Sequence, residues 1–237
     1  IRNNTCSNSI NFKAYKKNSC LMSRVLKRES CQKILDVSRE TIDTCDVYLN
    51  ELIKWQKNLN LVGLSTLYDP WRRHILDCGQ VARHIENKNE EIIDVGSGAG
   101  LPGVILSIMG FSNVSMVESD YKKTVFILEV LRKCKVNGNV LNKRIETFDN
   151  FSNKTLVFRA FASIENTLKL LYDKLELSTK LIFLKGKNAI NEKNNALKMW
   201  QELKKKYNCK IVPIIKTFKS ISDRDSLLVT VEFKKDR

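Results

Sequence analysis

The chain has 237 residues, 43% of them hydrophobic, and its 41 Lys and Arg against 26 Asp and Glu leave a formal net charge of +15. That length suits one ordinary domain with a small extension and a sizeable core. No run approaches the roughly eighteen apolar residues that cross a bilayer, and no secretory signal pattern is present, so no membrane partner is expected. The charge excess fits a polyanionic partner, RNA or DNA, or else a Lys-biased surface from a skewed composition. The cysteines (Cys6, Cys20, Cys31, Cys45, Cys78, Cys134 and Cys209) form no C-x-x-C pair, and the only histidines are His74 and His84. This usage reads as reduced thiols in a cytoplasmic protein without a metal site.

Residues 1–30 are polar, basic and aperiodic, with no acid before Glu29. They are expected to be disordered or not native, since Met22 would be a more usual start; a transit peptide is the other reading of such a segment. Residues 31–88 read as a helical cap. Ser38 is a candidate N-cap with Glu40 in the first turn, and Ile42, Cys45, Leu49, Leu52 and Ile53 recur at helical spacing until Gly63. A second cap helix near Pro70 carries Trp71, Ile75, Leu76 and Val81.

From residue 89 to 237 strands and helices alternate. Strand-like runs are Ile92–Val95, Val114–Val117, Asn139–Leu141, Leu156–Phe158 and Leu181–Leu184, with helical stretches Lys122–Lys133, Glu165–Leu175 and Glu192–Tyr207 between them. Alternation of this kind predicts an α/β domain with a parallel sheet covered on both faces. Two further runs, Ile211–Ile215 and Leu227–Phe233, lack an intervening helix and predict a hairpin whose last strand is antiparallel. The Lys193–Lys206 stretch reads as a solvated helix face.

The most informative segment is E-I-I-D-V-G-S-G-A-G-L-P-G (91–103). A short strand meets a glycine cluster and then a helix near Pro102, which makes a cradle for a nucleoside-bearing cofactor. Gly98, Gly100 and Gly103 fit the dinucleotide fingerprint. Asp94, Gly96, Gly98 and Gly100 fit D-x-G-x-G-x-G, which looks like the first motif of S-adenosylmethionine (SAM) methyltransferases. Glu118, ending the next strand, can bind ribose hydroxyls of either cofactor. The antiparallel last strand tips the balance toward SAM.

Together with N-L-N-L-V (58–62), R-R-H-I-L-D (72–77), R-A-F-A-S (159–163) and L-K-G (184–186), these motifs resemble the bacterial small-subunit rRNA (guanine-N7) methyltransferases, also called glucose-inhibited division protein B. The likeness runs from about residue 31 to the end, with the motifs in order. It implies a Rossmann-like class I SAM-dependent methyltransferase fold: a mainly parallel seven-stranded sheet with an antiparallel last strand, plus the helical N-terminal cap. It also implies SAM as cofactor, 16S rRNA or the small ribosomal subunit as partner, and N7 of one guanine as acceptor. A monomer is expected.

Carried over by position, Gly96 and Leu101 line the SAM site with Gly98 and Gly100 in the same loop, Glu118 takes the ribose, and Ile145 and Glu146 flank the adenine. Arg159 lies at the cofactor–substrate junction. The chain departs from the family at Cys78, where serine is usual, and at Glu118 to Tyr121, where Leu-Gly-Lys is common.

Guanine N7 has an in-plane lone pair and no proton, so methyl transfer to it needs positioning rather than an acid, a base or a nucleophile. No N-P-P-Y or D-P-P-Y follows the fourth strand; pyrimidine-C5 enzymes need a cysteine nucleophile, often following a proline, and here no cysteine follows a proline or sits at a strand end in the domain. Arg159 is then a positioning residue for guanine O6 or a phosphate, or else half of a salt bridge. Phe161 is a base-stacking or core aromatic, and Lys185 a phosphate contact. Arg72, Arg73 and His74 either meet RNA or dock the cap, with Asp77 as a partner. Asp94 either approaches the methionine amine of SAM or holds the loop. The rival functions are a dinucleotide-dependent oxidoreductase and a non-catalytic ribosome-assembly factor.

Overall fold

Residue alternation in Glu91–Val95 (β1) sets the architecture. Ile92 joins one hydrophobic cluster while Ile93 and Val95 join another. A strand buried on both faces belongs in the middle of a sheet covered by helices on either side. The computed structural model describes residues 25–207 and 209–236. The expectations for the tail, including Met22 as a start, lie outside the described residues up to residue 24.

Six more strands complete the sheet: β2 (Val114–Val117), β3 (Asn139–Leu141), β4 (Lys154–Arg159), β5 (Lys180–Lys185), β6 (Ile211–Lys219) and β7 (Leu227–Lys235). Their order is β3-β2-β1-β4-β5-β7-β6. The first five run parallel, and β7 lies antiparallel between β5 and β6, as the two helix-free runs predict. Leu227 pairs with both Lys185 and Lys219, which puts the 220–226 loop at the same edge as the tips of β1, β4 and β5.

One face of the sheet carries α4 (Gly103–Ile108) and α5 (Tyr121–Cys134), and the other carries α6 (Ile164–Leu171) and α7 (Ala189–Tyr207). The cap consists of α1 (Arg28–Leu35), α2 (Arg39–Gln56) and a segment α3 over 71–84. The Ser38 side chain caps α2 by accepting from the Thr41 N–H at 3.2 Å. Winding changes along α3: it is a π-helix over Trp71–Leu76, an α turn over Asp77–Gly79 and a 3₁₀ turn over Gln80–His84. The Asp77 N–H reaches back five residues to the Arg72 carbonyl. Such wide turns rotate side chains off the regular helical stripe and are frequent at functional sites.

The non-helical reading of 25–30 is corrected. Leu26 is buried, α1 starts at Arg28, and the Arg28 guanidinium pairs with Asp46 at 2.6 Å across the cap. The signal was hidden because the anchors lie on α2, not in the segment itself. The cap also has no core of its own. Leu49, Leu52 and Ile75 share one cluster with Ile92, Val104 and Phe126. Trp55 meets Phe126 edge-on at 5.6 Å between centroids, and the buried Tyr48 hydroxyl donates to the Ala99 carbonyl in the glycine loop at 2.9 Å.

Removing that hydroxyl strands a buried carbonyl, which costs about 1–3 kcal/mol. Tyr48→Phe is therefore expected to lower the unfolding free energy by that amount, read as a lower urea midpoint with an unchanged m-value. An unchanged midpoint would mean that the cap does not hold the loop.

Candidate active site

The 96–103 loop is shaped by its glycines and by one carboxylate beneath it. Gly96 has φ +68° and Gly100 has φ +73°, in the left-handed region that favours glycine. A Cβ on Gly100 would come within 2.5 Å of Val104 Cγ2, so the loop could not fold onto α4 with any larger residue. Asp94 Oδ2 accepts the Gly103 N–H at 2.9 Å, and Ser97 Oγ donates to the Asp94 carbonyl at 2.9 Å. Asp94 is fully buried, and its Oδ1 has no protein partner. This carboxylate holds the loop through the Gly103 N–H, one of its two expected roles. Burial drives its pKa up to about 7, against the opposing pull of the Gly103 N–H.

Glu118 closes the loop from the β2 side. Its Oε2 accepts the Gly98 N–H and its Oε1 the Asp120 N–H, both at 2.8 Å. Each oxygen keeps a lone pair for a further donor. A cavity of about 210 Å³ opens here, with Gly96, Glu118, Ile145, Glu146 and Phe161 among its lining residues. The predicted Glu118, Ile145 and Glu146 therefore meet around one cleft. Gly98 is half-buried, and Gly100 and Leu101 are buried in the loop's own packing, outside the lining.

Arg159, Arg73, His74 and Lys185 meet at a second cavity of about 460 Å³, between the cap, the tips of β4 and β5, and the 220–226 loop. Arg159 Nε bonds Asp77 Oδ2 at 3.1 Å, and its Nη2 donates to the Arg73 carbonyl at 2.7 Å. The salt-bridge alternative is thus realised, and it joins β4 to the cap. Asp77 Oδ1 also accepts from Ser222 Oγ at 2.7 Å and from Gln80 Nε2 at 3.2 Å. Gln80 Oε1 in turn accepts the Ile221 N–H at 2.9 Å, and Arg73 pairs with Asp223 at 3.3 Å.

His74 is buried and turned inward. Its Nε2 lies 3.0 Å from Thr66 Oγ1, whose own proton goes to the Gly63 carbonyl at 2.6 Å. Nε2 must therefore carry the hydrogen, leaving Nδ1 bare and without a partner. Burial, with Arg159 and Arg73 nearby, pulls its pKa down to about 3, so it is neutral near pH 7. Burial also pushes the Cys78 thiol far up. Arg72 points to Asp69 at 2.8 Å rather than into the cavity.

Lys185 is 11% exposed and spoken for twice: its Nζ donates to the Ala162 carbonyl at 2.6 Å and pairs with Glu192 at 2.9 Å. It lines the basin but is not a loose phosphate hook. Phe161 packs against Phe158 at 5.7 Å and lies over Gly96, where an added Cβ would meet its ring at 2.9 Å.

Sequence reasoning missed Tyr48, Gln80, Ser220, Ser222 and Glu192. Each is an ordinary polar residue whose role comes from a partner distant in the chain; Gln80 and Ser220 are 140 positions apart. Among the described residues, no helix is long and apolar enough to cross a membrane.

A sequence-family model described as rRNA small subunit methyltransferase G (GidB) matches residues 41–216. The ribosomal RNA small subunit methyltransferase G of Rickettsia felis is 36% identical over 167 residues, spanning 70% of this chain and 86% of its own. The protein of that name from Paramagnetospirillum magneticum is 38% identical over 164 residues, 69% of this chain and 80% of its own. Among solved structures, a SAM-dependent O-methyltransferase from Thermotoga maritima superposes with a TM-score of 0.52 at 15% identity, over 80% of this chain and 72% of that one. A variant of MtNAS in complex with S-adenosylmethionine gives 0.53 at 15% identity, over 89% and 85%. These two likenesses establish the fold.

The raised Asp94 pKa has a sign. Between the ordinary aspartate value of about 4 and the folded value of about 7, the folded protein keeps a proton that the unfolded chain has released. Stability from this group therefore falls as pH rises through that window and is level above it. The unfolding free energy of the wild type minus that of Asp94→Asn is expected to decline from pH 4 to pH 7. Parallel curves for the two proteins would show that Asp94 is ionised throughout.

Proposed function

This chain belongs to the rRNA small subunit methyltransferase G family, and from that premise we infer that it transfers a methyl group from SAM to N7 of a guanine in small-subunit (16S) rRNA. The observation that carries the reading is a pair of cavities whose walls meet in the chain at Ala160 and Phe161. One is a nucleoside-sized cleft beside the glycine loop, and the other is a larger basin whose Arg159, Lys185 and Arg73 are each paired with a carboxylate.

The cleft's residues fit the cofactor. Glu118 offers its remaining lone pairs to ribose hydroxyls, Ile145 and Val117 supply an apolar wall for adenine, and Gly96 exposes bare main chain. Bound SAM supplies an electrophilic methyl group on a sulfonium. The chain's own part is to hold the acceptor in line and keep water out. Arg159 spends two of its five N–H donors on Asp77 and Arg73, so three remain for guanine O6 or a phosphate. The cap roofs the basin through Arg73, His74 and Asp77.

Acid–base groups are absent from the roles the basin's residues play. His74 is neutral and bonded to Thr66, Asp77 is engaged by Arg159, and Lys185 is paired with Glu192. N7 of guanine needs none of them, whereas an exocyclic amine would have to lose a proton. This is why N7 is the acceptor atom we assign.

Labelled methyl from SAM is expected to appear as 7-methylguanosine when small-subunit RNA, or subunits lacking the modification, are the acceptors. Label in another nucleoside would overturn the atom assigned. Arg159→Ala removes both the cap contact and the remaining donors, and is expected to lower kcat/KM by about a hundredfold, as a misplaced reacting group does. A rate within about twofold of wild type would remove Arg159 from the machinery.

A further inference from the structure

The two cavities come together in the chain at two consecutive residues. Phe161 lines the cofactor cleft, its predecessor Ala160 lines the basin, and the ring covers Gly96. On the methyl-transfer reading the methyl group crosses from cleft to basin, and the Ala160–Phe161 step of the chain joins the walls of the two. Where the ring stands is therefore a determinant of the reaction, separate from the binding of either partner.

The ring's backbone is held in an unfavourable place. Ala160 has φ +52°, a left-handed conformation for a residue with a Cβ. Such strain persists only where the surroundings over-determine it. The front of the loop is anchored by Arg159, through Asp77 and the Arg73 carbonyl. Its back is anchored from α7. Glu192 Oε2 accepts the Ile164 N–H at 2.9 Å and pairs with Lys185 Nζ at 2.9 Å, while the same Nζ donates to the Ala162 carbonyl at 2.6 Å. Lys185 and Glu192 thus grip the main chain on the C-terminal side of Phe161.

We propose that Phe161 is the partition between the cofactor cleft and the acceptor basin, and that Glu192, acting through Lys185, is the positioning residue that sets where the ring stands. The proposal rests on the methyl-transfer reading above. It gives Lys185 an internal task in place of a phosphate contact, and it explains why a lysine with 11% exposure sits at a basin for a polyanion. Glu192 touches neither the cleft nor the basin. Its loss must act through the 160–163 loop or not at all.

The test is a double-mutant cycle in steady-state methyl transfer to small-subunit RNA, with SAM affinity measured in parallel by calorimetry. Glu192→Ala and Phe161→Leu are each expected to lower kcat by about tenfold or more, and Glu192→Ala to change SAM affinity by less than about threefold. The double variant is expected to be no worse than Phe161→Leu alone, because both changes spoil one placement. Glu192→Gln keeps an acceptor for Ile164 and Lys185 and should recover most of the rate.

Effects that multiply independently, or Glu192→Ala at the wild-type kcat, would overturn the proposal. Should Glu192→Ala not fold, Lys185→Met replaces it in the cycle, since it removes the Ala162 contact and leaves the Ile164 N–H satisfied. Wild-type protein that binds SAM but makes no 7-methylguanosine would instead defeat the underlying reading, and the two failures are told apart by that control.

Discussion

The Asp77–Arg159 contact organises the active-site face. Asp77 comes from the cap and Arg159 from the tip of β4, 82 positions later. The pair is only partly exposed, at 21% and 18% of the side chains, so each charge needs its partner. Asp77 also takes hydrogen bonds from Ser222 and Gln80, which brings the 220–226 loop onto the same carboxylate. Three separate pieces of chain are thereby fastened around one basin. Without the pair, the cap would still be packed by Tyr48, Trp55 and Ile75, and the bond from Arg159 to the Arg73 carbonyl would be left to align its rim with β4.

The polar groups around this basin hold one another rather than waiting for protons. Arg159 is on Asp77, Lys185 on Glu192, Arg73 on Asp223, and His74 on Thr66. A preorganised network of this kind suits a reaction whose demand is alignment, because little reorganisation is left for the moment of transfer. The strained Ala160 lies within that network, and the ring of Phe161 follows it in the chain. Buried Asp94 serves the glycine loop in the same spirit, through Gly103, with one oxygen left unpartnered.

Much of this was legible in the chain. The β1 run, the glycine cluster, Glu118 at the next strand end and the helix-free pair of terminal runs were enough to indicate the fold, the cofactor cleft and the antiparallel β7. The reason is locality: strand periodicity, left-handed glycine turns and helix starts are written in neighbouring residues. The helix that begins at Arg28 was not legible, because it is held by Asp46 on another helix. Nor was the lack of a separate cap core, since a hydrophobic stripe does not reveal what it packs against.

Candidate site residues divide the same way. Gly96 and Glu118 could be placed at the cleft from the glycine motif and the next strand end, and Ile145 and Glu146 from the family resemblance. The sequence by itself determined a doubly covered α/β sheet, a glycine loop for a nucleoside cofactor and a strongly basic chain, all properties of short segments or of composition. Only the tertiary structure decided that Arg159 is tied to Asp77, that Lys185 is tied to Glu192, that His74 faces inward and that the Phe161 ring lies over Gly96. Those roles depend on side chains brought within about 3 Å of one another from distant parts of the chain, and pairwise closeness of that kind leaves no periodic trace along the sequence.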